Sequence, residues 1–180
     1  ATGGLTDSLS ADISLYSHDQ GEGYGENRFN GRDINYISEY AARAKLLFDP
    51  DGPLRATLAI DFNRDNSTLG FSLRAMEGAR TPGLGETYPG DYYDANLNVQ
   101  PWRRQKSIGE QLRISYDFSR GQLVSMTGFR EVAQDFNLDQ EGSSLSLVDA
   151  YFEADTRGLT QELQVQSLDG SRIKWIAGLF

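Results

Sequence analysis

Between residues 40 and 62 the chain alternates apolar and polar side chains with a period of two. Tyr40, Ala42, Ala44, Leu46 and Phe48 fall on one side of an extended backbone, with Ala41, Arg43, Lys45 and Leu47 on the other. Leu54, Ala56, Leu58, Ile60 and Phe62 repeat the pattern against Arg55, Thr57, Ala59 and Asp61. Successive side chains of a strand point to opposite faces, so each segment predicts a strand with one apolar and one charged face. The run Asp49-Pro50-Asp51-Gly52-Pro53 between them is a turn sequence, and Pro53 stands at a strand start, where its missing N–H is tolerated. The two segments therefore predict an antiparallel hairpin.

The same period recurs along the chain. Leu9, Ala11, Ile13 and Leu15 oppose Ser10, Asp12, Ser14 and Tyr16. Leu112, Ile114, Tyr116 and Phe118 oppose Arg113, Ser115 and Asp117, and Ser119-Arg120-Gly121 turns into a less regular strand over 122–132. Leu159, Leu163 and Val165 oppose Thr160, Glu162, Gln164 and Gln166, followed by the turn Asp169-Gly170-Ser171 and a last strand over 172–180. The predicted connections alternate in length. Short turns at 49–53, 119–121 and 169–171 alternate with long segments at about 19–35, 65–106 and 135–155. Short turns at one end and long loops at the other are the normal asymmetry of outer-membrane barrels, and long structureless loops are uncommon in compact soluble domains. The expected fold class is all-β: an antiparallel up-and-down meander of about seven strands, part of a transmembrane β-barrel.

Alternation alone does not say which face is wet, because a half-solvated sheet in a soluble sandwich has the same pattern. On the barrel reading Leu9, Ala11, Ile13, Leu15, Tyr40, Ala42, Ala44, Leu46, Leu54, Leu58, Ile60, Leu112, Ile114 and Tyr116 face lipid. Arg43, Lys45, Arg55, Asp61, Arg113 and Glu162 face the lumen.

Composition narrows the partners. The hydrophobic fraction is 38%, below the roughly 45–50% of soluble domains, and no run approaches the ~20 apolar residues of a membrane helix. Barrel strands need only ~9–11 residues each, so membrane residence stays open. A net charge of −9 argues against nucleic acid as a partner. With no cysteine and a single histidine, His18, the chain offers no thiolate nucleophile and no His/Cys metal cluster, so no catalysis, cofactor or metal is expected. The N-terminal ATGGLTDSLS has neither a basic nor an apolar leader region, so any signal peptide is expected to be already removed or to lie upstream.

Isolated motifs add little. Gly21-Glu22-Gly23-Tyr24-Gly25 lacks the βαβ setting of a phosphate loop, Asp49-Pro50-Asp51-Gly52 lacks the remaining ligands of a calcium loop, and Asn66-Ser67-Thr68 is a short glycosylation-like tripeptide. Pairs such as Glu39/Asp61 and Asp117/Glu162 are ordinary lumen charges. The loop aromatics are more informative: Tyr24, Phe29, Tyr36, Tyr88, Tyr92, Tyr93 and Trp102 lie in or beside the long segments, as an interfacial girdle or as ligand contacts. Arg103, Arg104 and Lys106 form a local basic cluster, open to three readings: a site for an anionic ligand, a contact with outer-leaflet lipopolysaccharide, or a solvated charge run. Tyr24, Phe29, Tyr92, Tyr93, Trp102, Arg103 and Arg104 are the ligand-binding candidates.

Longer stretches carry a family resemblance. DISLYSHDQGEGYGENRFNGRDINYISEYAARAKLLFDP resembles an early barrel hairpin of TonB-dependent outer-membrane receptors. DANLNVQPWRRQKSIGEQLRISYDF, LVSMTGFREVAQDFNLDQEGSSLSLVDAYFEADTRGLTQELQVQS and IKWIAGLF resemble middle strands of that family, as found in sphingomonad-like bacteria. The resemblance covers nearly the whole chain. It implies a barrel of roughly 22 strands around a plug domain in the bacterial outer membrane. Such a receptor imports a small nutrient or metal chelate, such as a ferric siderophore, using energy supplied through TonB. The resemblance reaches only the β-barrel and not a plug domain, a TonB-contacting segment or a closing C-terminal strand, so it implies a fragment of about a third of such a wall. A passive porin-like barrel and a soluble β-sandwich binding module are the two rival readings.

Overall fold

The computed structural model describes residues 1–68, 70, 72–73, 91–168 and 170–180, and its regular structure there is entirely β. In chain order the strands are β1 (Thr2–Thr6), β2 (Leu9–Asp19), β3 (Gly25–Asn27), β4 (Arg32–Ile34) and β5 (Ser38–Phe48). They continue with β6 (Leu54–Asp65), β7 (Trp102–Phe118), β8 (Gly121–Asp139), β9 (Asp149–Gln166) and β10 (Ile176–Leu179). Eight of them form one antiparallel sheet in the order β1-β2-β5-β6-β7-β8-β9-β10, and β3 pairs with β4 as a separate hairpin. The meander expected from the alternation is present. The sheet is open, with β1 and β10 at its edges.

Register explains why the two-residue period was legible. Ala44 pairs with Ile60, Leu46 with Leu58 and Leu58 with Leu112, so the apolar positions of neighbouring strands fall side by side. On the other face Arg43 pairs with Asp61, and Arg113 and Glu162 both flank Met126. A one-residue slip between β5 and β6 or between β6 and β7 would put charge into the apolar row, and this selects the register.

Three boundaries differ from expectation. The TGGLT segment of β1 has no alternation, yet it pairs with β2 as a short edge strand, an arrangement that needs only backbone groups. Strands β7, β8 and β9 run for 17, 19 and 18 residues, so the long connections shrink to 66–101 and 140–148. Their far halves carry polar groups on both faces, which hides a strand from pattern reading but not from ladder pairing. The last strand starts at Ile176 and not at residue 172. Ser167 N–H meets the Trp175 carbonyl at 3.0 Å, and the chain between them is a connection; of its expected turn, Asp169 lies outside the described residues. The connections 7–8, 49–53, 119–120 and 167–175 share one end of the sheet, and 20–37, 66–101 and 140–148 share the other.

Burial does not follow the apolar face of the sheet. Among the described residues the buried apolar side chains are Ile34, Ala95, Leu97 and Val124. The apolar sheet face lies open, with Leu15 80%, Ile13 52% and Leu159 74% exposed. Ser107 and Ser115, on the polar face of β7, are only 7% and 8% exposed. Total accessible area is 11934 Å², against roughly 8,700 Å² for a compact monomer of this mass.

Candidate ligand-facing surface at the loop end

The long loops are joined to one another. Asn27, at the end of β3, is fully buried between the hairpin and residues 95–100. Its Nδ2 donates to the Leu97 carbonyl at 3.0 Å and to Gln100 Oε1 at 3.3 Å, and its Oδ1 accepts from Leu97 N–H at 2.9 Å and Phe29 N–H at 3.2 Å. Arg28 pairs with Asp94, whose other oxygen accepts Glu26 N–H at 3.0 Å. Ile34, Ala95 and Leu97 form a small apolar core beneath these polar contacts. Gly25 permits the close approach, since a Cβ there would stand 1.9 Å from the Tyr93 carbonyl oxygen. Asn98 extends the joint to the third loop, its N–H donating to the Ser143 carbonyl at 3.1 Å and its side chain to Asp149 at 3.3 Å.

Aromatic rings crown this cap. Tyr24, Tyr92 and Tyr93 are 55%, 74% and 53% exposed. Tyr24 and Tyr93 lie 6.1 Å apart, and Tyr92 meets Tyr93 edge to face at 5.0 Å. Phe29 stands exposed at the turn of the same hairpin, and Tyr36 lies lower, its N–H accepted by Thr68 Oγ1 at 3.3 Å. Tyr88 is outside the described residues. Four of the candidates, Tyr24, Phe29, Tyr92 and Tyr93, are thus brought to one end on docked loops. The edge-to-face pair and the exposed rings offer flat apolar surface suited to stacking on a ligand.

The other three do not join them. Trp102, Arg103 and Arg104 belong to β7 and not to a loop. Strand geometry sends Arg103 to the polar face, where it pairs with Asp65 at 2.5 Å and with Gln105 at 2.6 Å. Trp102 and Arg104 take the apolar face, with the Arg104 guanidinium carbon 4.8 Å from the Trp102 ring centre. A run of adjacent basic residues looks like one cluster in sequence, but in a strand it splits between faces.

Arg43, Lys45, Arg55, Asp61, Arg113 and Glu162 share one face, as the register requires. Arg55 bridges Asp49 at 2.8 Å and Asp117 at 3.3 Å near the short turns. Asp61 is held by Arg130, which alternation had not singled out because β8 is the least regular of the long strands. The Arg130 Nη2 reaches both Asp61 oxygens, at 2.9 and 3.0 Å, across the intervening strand β7. Gly109 makes that span possible, because a Cβ there would lie 2.4 Å from the guanidinium nitrogen. A cleft of about 480 Å³ opens beside this pair, lined also by Arg43, Gly128 and Thr160. Among the described residues no group of acidic or histidine side chains could hold a metal ion.

One titrating pair sits in the cap, beyond the apolar band. Asp139 is 1% exposed and accepts Gly142 N–H at 2.8 Å; burial, with Glu141 alongside, pushes its carboxyl from the ordinary 3.8 up to about 6. Burial also acts on Glu141, but N–H groups of Leu147 and Val148 at 2.8 and 3.1 Å hold it below its ordinary 4.5. A raised carboxyl favours the folded loop while protonated, so this contribution is present in full below about 3.8 and lost as pH rises through about 6. Loop 140–148 is therefore expected to loosen between pH 5 and 7.5. Hydrogen exchange at Gly142, Leu147 and Val148, corrected for intrinsic rates, should show lower protection at the higher pH. Asp139→Asn should abolish the difference, and a difference that survives in that variant would contradict the assignment.

Comparison with known proteins returns no matching family model, no matching curated protein and no matching solved structure.

Proposed function

We propose that this chain forms wall strands and three extracellular loops of a bacterial outer-membrane receptor that binds a scarce nutrient and imports it with energy passed through TonB. The observation that carries the reading is the uncovered apolar face of the sheet, backed by a face that carries paired charges. In water such a face costs roughly 25 cal/mol for every Å² of apolar surface left uncovered, whereas hydrocarbon removes that cost. Short connections at one end and docked loops at the other support the same orientation, with the loops outside. The ring-crowned cap supports ligand capture, and the resemblance of the sequence to TonB-dependent receptors supports gated import over passive flow. In this reading the edges β1 and β10 continue into further strands of the barrel, because an unpaired edge in lipid costs several kcal/mol per backbone group.

The test uses the full gene product. It is expected to fractionate with the outer membrane, to resist carbonate extraction and to migrate faster on a gel before heating than after. Reconstituted in liposomes with a small sugar outside, it should give no swelling, since a plug fills the lumen. Rapid swelling would replace the receptor by a passive pore, and a detergent-free soluble monomer would sink the membrane reading altogether.

A further inference from the structure

The face that carries Leu58, Ile60 and Leu112 is not uniform across the sheet. Its register gives four consecutive rows through β2, β5, β6, β7, β8 and β9, running from Leu15 to Arg157, from Ile13 to Leu159, from Ala11 to Gln161 and from Leu9 to Leu163. The twelve positions that β2, β5 and β6 contribute to those rows are all apolar. Of the twelve that β7, β8 and β9 contribute, six are polar: Glu110, Ser125, Thr127, Glu131, Arg157 and Gln161. Thr127 and Gln161 share a row with Leu58, in the middle of the band.

These groups are ordered among themselves. Gln161 accepts from the Thr127 hydroxyl at 2.6 Å and donates to Ser125 Oγ at 3.0 Å. Arg157 Nη2 lies 3.3 Å from Glu131 Oε1, and the Arg157 side chain is 74% exposed. Glu110 is exposed and makes no ion pair among the described residues. A polar or ionised side chain turned to hydrocarbon is costly, and in membrane segments such residues face a protein partner or water instead of lipid.

We propose that this half-polar face of β7, β8 and β9 is a dimer interface, covered in the membrane by the same three strands of a second copy of the protein. The inference rests on the membrane reading above. Two copies inserted in the same direction are related by a two-fold along the membrane normal, an isologous contact that sets β8 against β8 and β7 of each copy against β9 of the other. Phe129, on the central strand, then meets its own counterpart. Glu110 comes to face β9 of the second copy, where Arg157 lies two residues from Leu159, about 7 Å along the strand and within the combined reach of two long side chains. Arg157 carries further N–H groups beyond the one that meets Glu131, and these take the carboxylate. The acid and the base stand on opposite sides of the axis, one of each per copy, so the contact closes with two such pairs and is complementary in charge.

The experiment examines the full gene product twice: in detergent by size exclusion with light scattering, and in isolated outer membranes by oxidative cross-linking with copper phenanthroline. The wild type should have twice the monomer mass. F129C should give a cross-linked dimer band that is absent from the wild type and from I60C, whose cysteine stands in the same row but on β6. E110Q and R157Q should each raise the concentration at which the dimer dissociates by about tenfold. E162Q, which removes the same charge as E110Q from the opposite face, should dissociate as the wild type does. A monomeric wild type, a cross-linked product of any mass other than the dimer, or an E110Q variant as dimeric as the wild type would each overturn the interface. If the heat-shifted gel band shows an assembled barrel in those cases, the wall reading stands and the face is covered by lipid or by a different protein. A soluble, unassembled gene product removes both.

Discussion

Arginine at Leu58 is expected to reduce assembly of the full gene product in the outer membrane at least tenfold, whereas arginine at the adjacent Thr57 is expected to leave most of it intact. Leu58 sits in the middle of the apolar band, flanked by Leu46 and Leu112. A Lys or Arg side chain at the bilayer midplane costs about 2–4 kcal/mol, and each 1.4 kcal/mol is a factor of ten. Thr57 points to the other face, between Leu47 and Arg113 in register. An added arginine there meets one like charge across the ladder, but in water that repulsion is a fraction of a kcal/mol. The amount of heat-shifted barrel in purified outer membranes measures both. Equal loss at the two sites would mean that neither face meets lipid, and would return the chain to the soluble readings.

Replacing Asn27 by alanine should undock the loop cap without disturbing the sheet. The substitution strands the Leu97 N–H, the Leu97 carbonyl and the Phe29 N–H, each of which now finds its partner in one fully buried side chain. An orphaned buried group costs about 1–3 kcal/mol, so roughly 3 kcal/mol or more of docking is lost, enough to populate the open loops. Limited proteolysis should then cut within 20–37 or 91–101 at least a hundredfold faster, while the heat-shifted band stays. Exchange at the Leu97 amide should accelerate in parallel. Unchanged protection at Leu97 would show that the small core of Ile34, Ala95 and Leu97 holds the loops by itself. Because Tyr24, Tyr92 and Tyr93 ride on those loops, the same variant separates ligand capture by the crown from assembly of the wall.

The sheet was legible in the sequence because a strand's period is two and its two faces here meet different surroundings. The segments at 9–16, 40–48, 54–62 and 112–118 each alternate over several residues, and each is a strand with the predicted pairing. Where that contrast fades, as in TGGLT or the outer halves of β7 to β9, ladder hydrogen bonds continue with nothing in the side chains to announce them. The loop aromatics were visible as residue types, and their gathering at one end followed from the alternation of short and long connections. What linear reading missed is contact between segments far apart in sequence. Asn27 finds Leu97 at a separation of 70 residues, and Asp61 finds Arg130 across Gly109 at a separation of 69. Arg64 finds Lys106 only because β6 and β7 pair antiparallel in that register. Sequence by itself determined which residues share a face, since covalent geometry alone enforces that. Tertiary structure decided which faces, loops and charges meet, because register and loop docking are settled by pairing energies between segments that no local pattern encodes.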